Sequence, residues 1–406
     1  MNPFRIGYVT ALLLGALWCL IIATTVAVAM SFATGAGFRP VWLALPLGAL
    51  MGLACLRWGG HGRPLLPAAL ALAMLSLAAL SGLAPLAIAP EASGPARWTG
   101  LIAATGFTAL GMWKILEKTP EGALTRHVFE AAVIRFLTGF GYIFFTAIVV
   151  IPFYVMVMTS LKNQAALVQN PLDFSLDLSQ GLGLFRSYVE LMRDYNFGSY
   201  LWTSFYVSVL TVLITLAFAI PGAYAVARLR FRGQKVFSRS ILLIYMVPMI
   251  VLALPIYIAF SMTGLRNTLF GIVLIYPVTT IPVALYMLQG YFRGLPSEVE
   301  EAGLMDGLSR LKVIWTITLP LSLPALASVS LYVFMIAWNE FLLAFMLLDD
   351  PGKFTLTRGI ASLNSSEVPR QHLMAGSVIA TVPIMVLFLG LERFMTKGLT
   401  AGSVKG

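Results

Sequence analysis

Charged side chains are scarce: 11% of the 406 residues are Asp, Glu, Lys or Arg, against about 25% in soluble domains. A chain that poor in charge cannot clothe a water-soluble surface. Cysteine is nearly absent too. Cys19 and Cys55 both sit inside apolar runs, which excludes a disulfide framework and a Cys-ligated metal site. The three histidines, His61, His127 and His372, are far apart and lie between apolar runs. No Gly-x4-Gly-Lys-Ser/Thr occurs, so the chain has no phosphate-cradling loop of its own. Gly-x-Ser-x-Gly and His-Glu-x-x-His are missing as well. The centres of the apolar runs are almost free of ionisable groups, with Glu340 the nearest exception. A membrane enzyme or an ion-coupled secondary transporter would place such groups there. The chain therefore conducts or positions something and does not react with it.

What is present is apolar, at 59% of residues. Runs of about 20 apolar residues recur, the length that crosses a ~30 Å hydrocarbon layer as a helix. Because the runs are continuous and not alternating, the expected fold is all-α and polytopic, not a barrel. Ten spans are expected, near 8–31, 40–56, 65–89, 98–116, 136–159, 200–227, 237–262, 269–292, 319–343 and 373–396. The first apolar run is longer than a signal-peptide core and reads as an anchor. The first four spans, rich in Ala, Leu and Gly, form a membrane extension over 1–116. A polar connector over 117–135 separates them from a six-span core over 136–406. The net charge of +10 reads as positive-inside topology, not nucleic-acid binding. Placing both termini and the 294–320 loop on the cytoplasmic side puts most Lys and Arg there, with Arg228–Lys235 the densest cluster.

That 294–320 loop is the most informative stretch. Pro296 suits a first helical turn, and Ser297 with Glu300 has capping-box spacing. Glu298, Glu300 and Glu301 bring negative charge to the helix start, where its dipole favours it. Val299, Ala302, Met305 and Leu308 recur at helical spacing, giving a short amphipathic helix with a face suited to another surface. Neutral polar and aromatic groups, Tyr257, Asn267, Tyr276, Tyr286 and Gln289, decorate the seventh and eighth spans and the turn between them, and Asn339 with the ionisable Glu340 lies near the outer end of the ninth. They read either as the lining of a passage for a hydroxylated solute or as interfacial anchors and helix contacts. Pro248, Pro255, Pro277 and Pro282 interrupt the seventh and eighth spans and can open a cavity there.

Glu301-Ala302-Gly303, three residues, Gly307, nine residues, then Ile317-x-Leu319-Pro320 resembles the EAA loop of ABC importer permeases, with Gly303 standing where the family has a second Ala. Trp338-Asn339-Glu340-Phe341 and the ending Gly398-Leu399-Thr400-x-Gly402-x-Val404-Lys405-Gly406 resemble the sugar-importer members, in particular the smaller maltose/trehalose-type subunit. The resemblance runs from about residue 131 to the end, and the first four spans have no counterpart in it. It implies a type I importer core, a permease subunit of an ATP-driven importer of a maltose-, trehalose- or α-glucoside-like carbohydrate. It implies ATPase coupling through Glu300, Glu301, Ala302, Gly303, Asp306, Gly307 and Arg310. The tail residues Gly398, Leu399, Thr400, Gly402 and Lys405 would contact the ATPases. The implied partners are a second permease in a heterodimer, two copies of an ATPase, a solute-binding protein, the carbohydrate and membrane lipid. This chain would hold no cofactor or metal, ATP and Mg residing on the ATPase, and would lie in a bacterial inner membrane. The alternatives are a permease of the same type for a non-sugar solute, or a stand-alone secondary transporter.

Overall fold

In hydrocarbon every backbone N–H and C=O must be satisfied within the chain, and helices achieve this locally. The computed structural model describes residues 3–58, 65–170, 175–176, 178–243, 247–365 and 368–400. Its helices are α1 (Gly7–Thr34), α2 (Ala44–Trp58), α3 (Leu66–Ser81), α4 (Gly94–Leu116), α5 (Arg126–Ser160) and α6 (Gln164–Gln169) in a first unit, Met1–Leu184. A second unit, Phe185–Gly406, holds α7 (Arg186–Asp194), α8 (Phe197–Arg228), α9 (Gln234–Leu243), α10 (Met249–Met262), α11 (Leu269–Gly294), α12 (Ser297–Met305) and α13 (Arg310–Val313). After one π turn, Ile314–Thr318, come α14 (Leu319–Leu321), α15 (Leu323–Asn339), α16 (Leu342–Leu347), α17 (Leu356–Ser362) and α18 (Arg370–Thr400).

Six of these helices are long and apolar enough to cross a membrane, or seven if the pair bent by 79° at Ser322 is taken as one. The apolar helices α2, α3 and α10 are shorter, at 15, 16 and 14 residues. Each of the ten expected stretches contains helix, but three differ from expectation. The ninth is broken at Ser322 and again after Asn339 into α14, α15 and α16. The third stops at Ser81, where Gly82 takes a left-handed φ of 69° and closes the helix, and residues 86–88 then pair with 38–40 as a short antiparallel ribbon. The seventh is two helices, α9 and α10. Pro248 stands before α10 with an extended ψ of 129°, as a residue lacking an N–H suits a helix start.

In the first unit α1 is the central helix. Its Gly15 lies so close to α2 that a Cβ there would sit 2.3 Å from the Gly48 carbonyl oxygen, and one at Gly52 would sit 2.2 Å from that of Ala11. Small residues permit this backbone approach, which substitutes dispersion contact for a hydrophobic drive that lipid does not supply. Trp18 fills the space against α4 and α5, donating to Phe107 O at 3.4 Å and meeting Phe136 edge-on. The connector is ordered: Gly7 N–H donates to Gly122 O and Leu124 N–H to Arg5 O, both at 2.8 Å. Glu121 accepts from Tyr8 and, at 3.1 Å, from Arg57. These two donors, the tyrosine first, hold its carboxyl below the usual range. The sequence reading groups α5 with the six-span core; by its packing it lies within the first unit.

The second unit is built on α8, α11 and α15. Buried hydroxyls tie α8 to α11, Thr215 and Thr280 sharing a hydrogen bond of 2.6 Å. Trp338 of α15 donates to Ala380 O of α18 at 3.1 Å. The stretch before α8 forms the amphipathic helix α7, whose Glu190 takes Arg186 at 2.6 Å and the buried His372 of α18 at 3.0 Å.

Candidate functional site: the clamped helix α12

Local sequence explains the shape of residues 295–322. Pro296, extended at ψ 127°, starts α12, and Ser297 is its first helical residue. The expected Ser297–Glu300 capping box is not formed: no side chain caps this end. Glu300 has turned inward. Its carboxylate accepts from Thr318 Oγ1 at 3.0 Å and from Tyr224 Oη at 3.2 Å, and it faces Arg228 Nε at 3.4 Å. Arg228 also donates to Leu295 O at 2.7 Å, one residue ahead of the Pro296 that starts the helix. Both charged side chains are nearly excluded from solvent, at 13% and 8% exposure. A carboxylate so buried requires a cation and hydrogen-bond donors, and here it has both. One buried contact thus fastens α12 to α8 and to the turn leading into α15.

The other end of α12 is closed by backbone geometry. Gly307 N–H donates to Leu304 O and Leu308 N–H to Gly303 O, both at 3.1 Å, the paired bonds of a Schellman ending. Gly307 takes φ 84°, which costs a residue with a Cβ about 1–2 kcal/mol. Ser309 then caps α13 through Lys312 N–H. Gly303 is buried, and a Cβ there would lie 2.6 Å from Ile317 Cδ1. An alanine at 303 would regain about 1 kcal/mol of helix propensity but would have to push the Ile317 tip aside.

Other residues of this stretch face outward, while Val313 and Ser322 are buried. Glu301, Ala302, Asp306 and Arg310 are exposed, and so are Val299, Met305, Leu311 and Trp315, the last three at 87%, 71% and 71%. Two functions are therefore split along one motif. Glu300, Gly303 and Gly307 hold the helix in place, and the other four expected coupling residues lie on the surface it presents.

The residues expected along a passage do not converge on one cavity. Glu340 accepts from the N–H groups of Leu343 at 2.8 Å and Ala344 at 3.1 Å, so its carboxylate caps α16. Tyr276 is wholly buried, with its hydroxyl beside Glu340 and Thr355. Asn339 donates to Met335 O within its own helix at 2.9 Å. Gln289 is buried at the other end of α11 and accepts from Ser238 of α9 at 3.1 Å. Tyr257 lies under the Arg266 guanidinium at 4.9 Å, and Tyr286 is exposed. Asn267, at φ 57°, accepts from the N–H groups of Asp349 and Asp350 and joins two turns. Among the described residues no cluster of three His, Cys, Asp or Glu stands ready for a metal.

Residues 219–400 match the family described as binding-protein-dependent transport system inner membrane component. The chain is 36% identical over 269 residues to the inner membrane ABC transporter permease protein YcjP of Escherichia coli (strain K12), covering 66% of this chain and 95% of that one. The chain belongs to this permease family. It is also 33% identical over 281 residues to the trehalose/maltose transport system permease protein MalG of Thermococcus litoralis, covering 68% of this chain and 99% of MalG. A crystal structure of a bacterial ABC transporter involved in the import of the acidic polysaccharide alginate contains a chain of the same fold. The TM-score is 0.57 with 23% identity, over 67% of this chain and 98% of that one.

As a member of this family the chain is a multi-pass inner-membrane permease subunit, of a class that works with an ATPase and a substrate-binding protein. The matched segment contains α12 and each residue of its clamp. About a third of the chain lies outside each of these alignments. Sequence reasoning missed Tyr224, Arg228 and Thr318. A cation at the end of one span and a buried-period Glu 72 residues later carry no local pattern that joins them.

The tail differs from expectation. The last span is expected to end near 396, yet α18 continues through Gly398, Leu399 and Thr400. Gly402 and Lys405 lie outside the described residues.

Proposed function

We propose that this chain is one permease subunit of an ATP-driven carbohydrate importer and that α12 is its coupling helix. The observation that carries the reading is the clamp. An amphipathic helix between two spans exposes Val299, Ala302, Met305 and Asp306 while a buried Arg228–Glu300 contact ties it to α8. A surface helix fastened so firmly can pass a push from a partner into the spans without bending. Movement of a rigid element between two arrangements is how such a contact becomes opening and closing of a passage.

Glu301, Ala302, Asp306 and Arg310 would touch the ATPase, and Glu300, Gly303 and Gly307 would position that surface. The chain itself is not an enzyme. ATP and Mg would be held by two copies of the ATPase, and a second permease would complete a heterodimer. A solute-binding protein would dock at the end opposite α12, with both termini of this chain cytoplasmic. The residues of the tail from Gly398 to Lys405 would also contact the ATPases. The likeness to a trehalose/maltose permease supports a carbohydrate as solute, as does the Trp338–Phe341 segment. Asn339, Tyr257, Tyr286 and Gln289 are scattered as contacts of their own, so the solute path draws at most on Glu340 and Tyr276, which lie together. The extension over 1–116 would serve assembly within the membrane.

Purification of the intact chain from its native membrane in mild detergent tests this. The expected outcome is co-purification of an ATPase at two copies per chain with a second permease. Isolation of the chain alone, still folded, would overturn the reading in favour of a free-standing transporter.

A further inference from the structure

Among the described residues, most cations at one end of the second unit are paired within this chain, Arg358 and Arg370 being the exceptions, and most at the other end are not. At the end where α8 begins, Arg186, Arg193, Arg266 and Lys353 each have a carboxylate of this chain within 2.6–3.1 Å. At the α12 end, Arg230, Arg232, Lys235, Arg239 and Arg293 are all exposed, and none of them makes an ion pair among the described residues. Large apolar side chains are exposed among them: Phe231 at 44%, Val236 at 69% and Phe237 at 50%. A surface meant for water has no use for those three, and a surface meant for hydrocarbon has none for five cations. The headgroup layer of a bilayer accommodates both.

The patch is also built, not loose. Gly233 turns the chain at φ 88°, and Gln234 Nε2 donates to Val226 O at 2.7 Å. Ile241 buries one face of α9 in the core. Lys235 and Arg239, four apart, share another face and point outward. Ser238 donates to Gln289 at 3.1 Å and accepts from Arg293 at 3.4 Å, so α9 is bonded to the last turns of α11. That helix leads straight into α12.

We propose that the α8–α9 turn and α9, with Arg293, form a binding site for the phosphate of anionic membrane lipids, with Phe231, Val236 and Phe237 set among the acyl chains. The site braces α11 at the point from which α12 departs. It goes beyond the coupling role and rests on that reading only for placing this end at a membrane surface.

The full-length chain in nanodiscs of phosphatidylcholine with increasing phosphatidylglycerol is the test, with bound lipid counted by native mass spectrometry after release. The wild-type chain is expected to retain phosphatidylglycerol over phosphatidylcholine. Each charge removed among R230Q, R232Q, K235Q and R239Q should weaken retention about five-fold, and more weakly as salt rises. The lysine set R230K/R232K/R239K should retain it, which separates loss of charge from loss of fold. R266Q, at the other end, should change nothing. Equal retention by the quadruple Gln variant would overturn the proposal. So would displacement by millimolar inorganic phosphate, which would assign the site to a soluble oxyanion. A quadruple variant that keeps its lipid but loses a co-purifying ATPase would make the patch a protein interface instead. Retention is measured without transport, so failure of the importer reading leaves this result standing, and the converse.

Discussion

Replacing Glu300 by Gln keeps the side chain's shape and its oxygen for Thr318 but leaves Arg228 facing a neutral amide. The Arg228 and Glu300 side chains are 13% and 8% exposed, so water screens little of the change. Breaking one half of a buried pair costs about 3–5 kcal/mol. The lower figure applies here, because Arg228 keeps its bond to Leu295 O. The strain falls on α12, which is held to α8 by this contact, and not on the α8–α11 core. Local opening of α12 should therefore become more frequent by about a hundred-fold, since each 1.4 kcal/mol is a factor of ten. Hydrogen exchange followed by mass spectrometry reads this directly. Amides of 298–305 should lose about two decades of protection while those of 269–290 stay unchanged. The double variant Arg228→Met/Glu300→Leu, with no charge left to bury, should recover most of the protection. Unchanged protection in Glu300→Gln, or no recovery in the double variant, would refute the clamp.

Three further outcomes follow from the same geometry. Gly307→Ala should destabilise the end of α12 by about 1–2 kcal/mol through its φ of 84°, with Gly307→Asn costing less, as thermal unfolding of the detergent-purified chain would record. Glu340→Ala should cost about 1–2 kcal/mol by uncapping α16 and, because Glu340 and Tyr276 are the pair left to the solute path, should also raise the apparent KM of transport; a stability loss with an unchanged KM would confine Glu340 to its cap. Glu190 donors, Arg186 first and then His372, hold its carboxyl below the ordinary value, so its contribution is present above the unfolded pKa near ~4.3 and lost as pH falls through the lower folded value. Protection of the α7 amides should therefore decline only below about pH 4, and Glu190→Gln should abolish that dependence.

Patterns of the sequence that depend on one segment at a time were legible. Each apolar stretch contains helix, because length and continuity of an apolar run answer to the bilayer alone, although among the described residues only six or seven helices are long enough to cross it. The position of α12 and its outward stripe were legible for the same reason, since periodicity is local. Gly307 was legible as a fixed position of the loop, and its positive φ gives the cause. What was not legible depends on partners distant along the chain. Ser297-x-x-Glu300 has the spacing of a cap, but Glu300 gains more from Arg228, Tyr224 and Thr318 than from one N–H at a solvated helix end. Glu340 was read as a lone polar point because α16, the short helix it caps, carries no start signal of its own beyond that carboxylate. The break between α9 and α10 hides in a continuously apolar stretch, marked only by Pro248. Gln289 looked free to meet a solute because Ser238, its partner, lies 51 residues earlier.

The central claim is that the exposed face of α12 meets an ATPase. Both native cysteines, Cys19 and Cys55, are buried, so a single cysteine at Met305, 87% exposed, can be addressed by itself. Met305→Cys is expected to cross-link to a co-purifying ATPase, and Glu301→Lys in the same chain to weaken the link and uncouple ATP hydrolysis from transport. A chain that co-purifies with the ATPase, transports solute, and gives no cross-link from Met305→Cys or Val299→Cys would contradict the account.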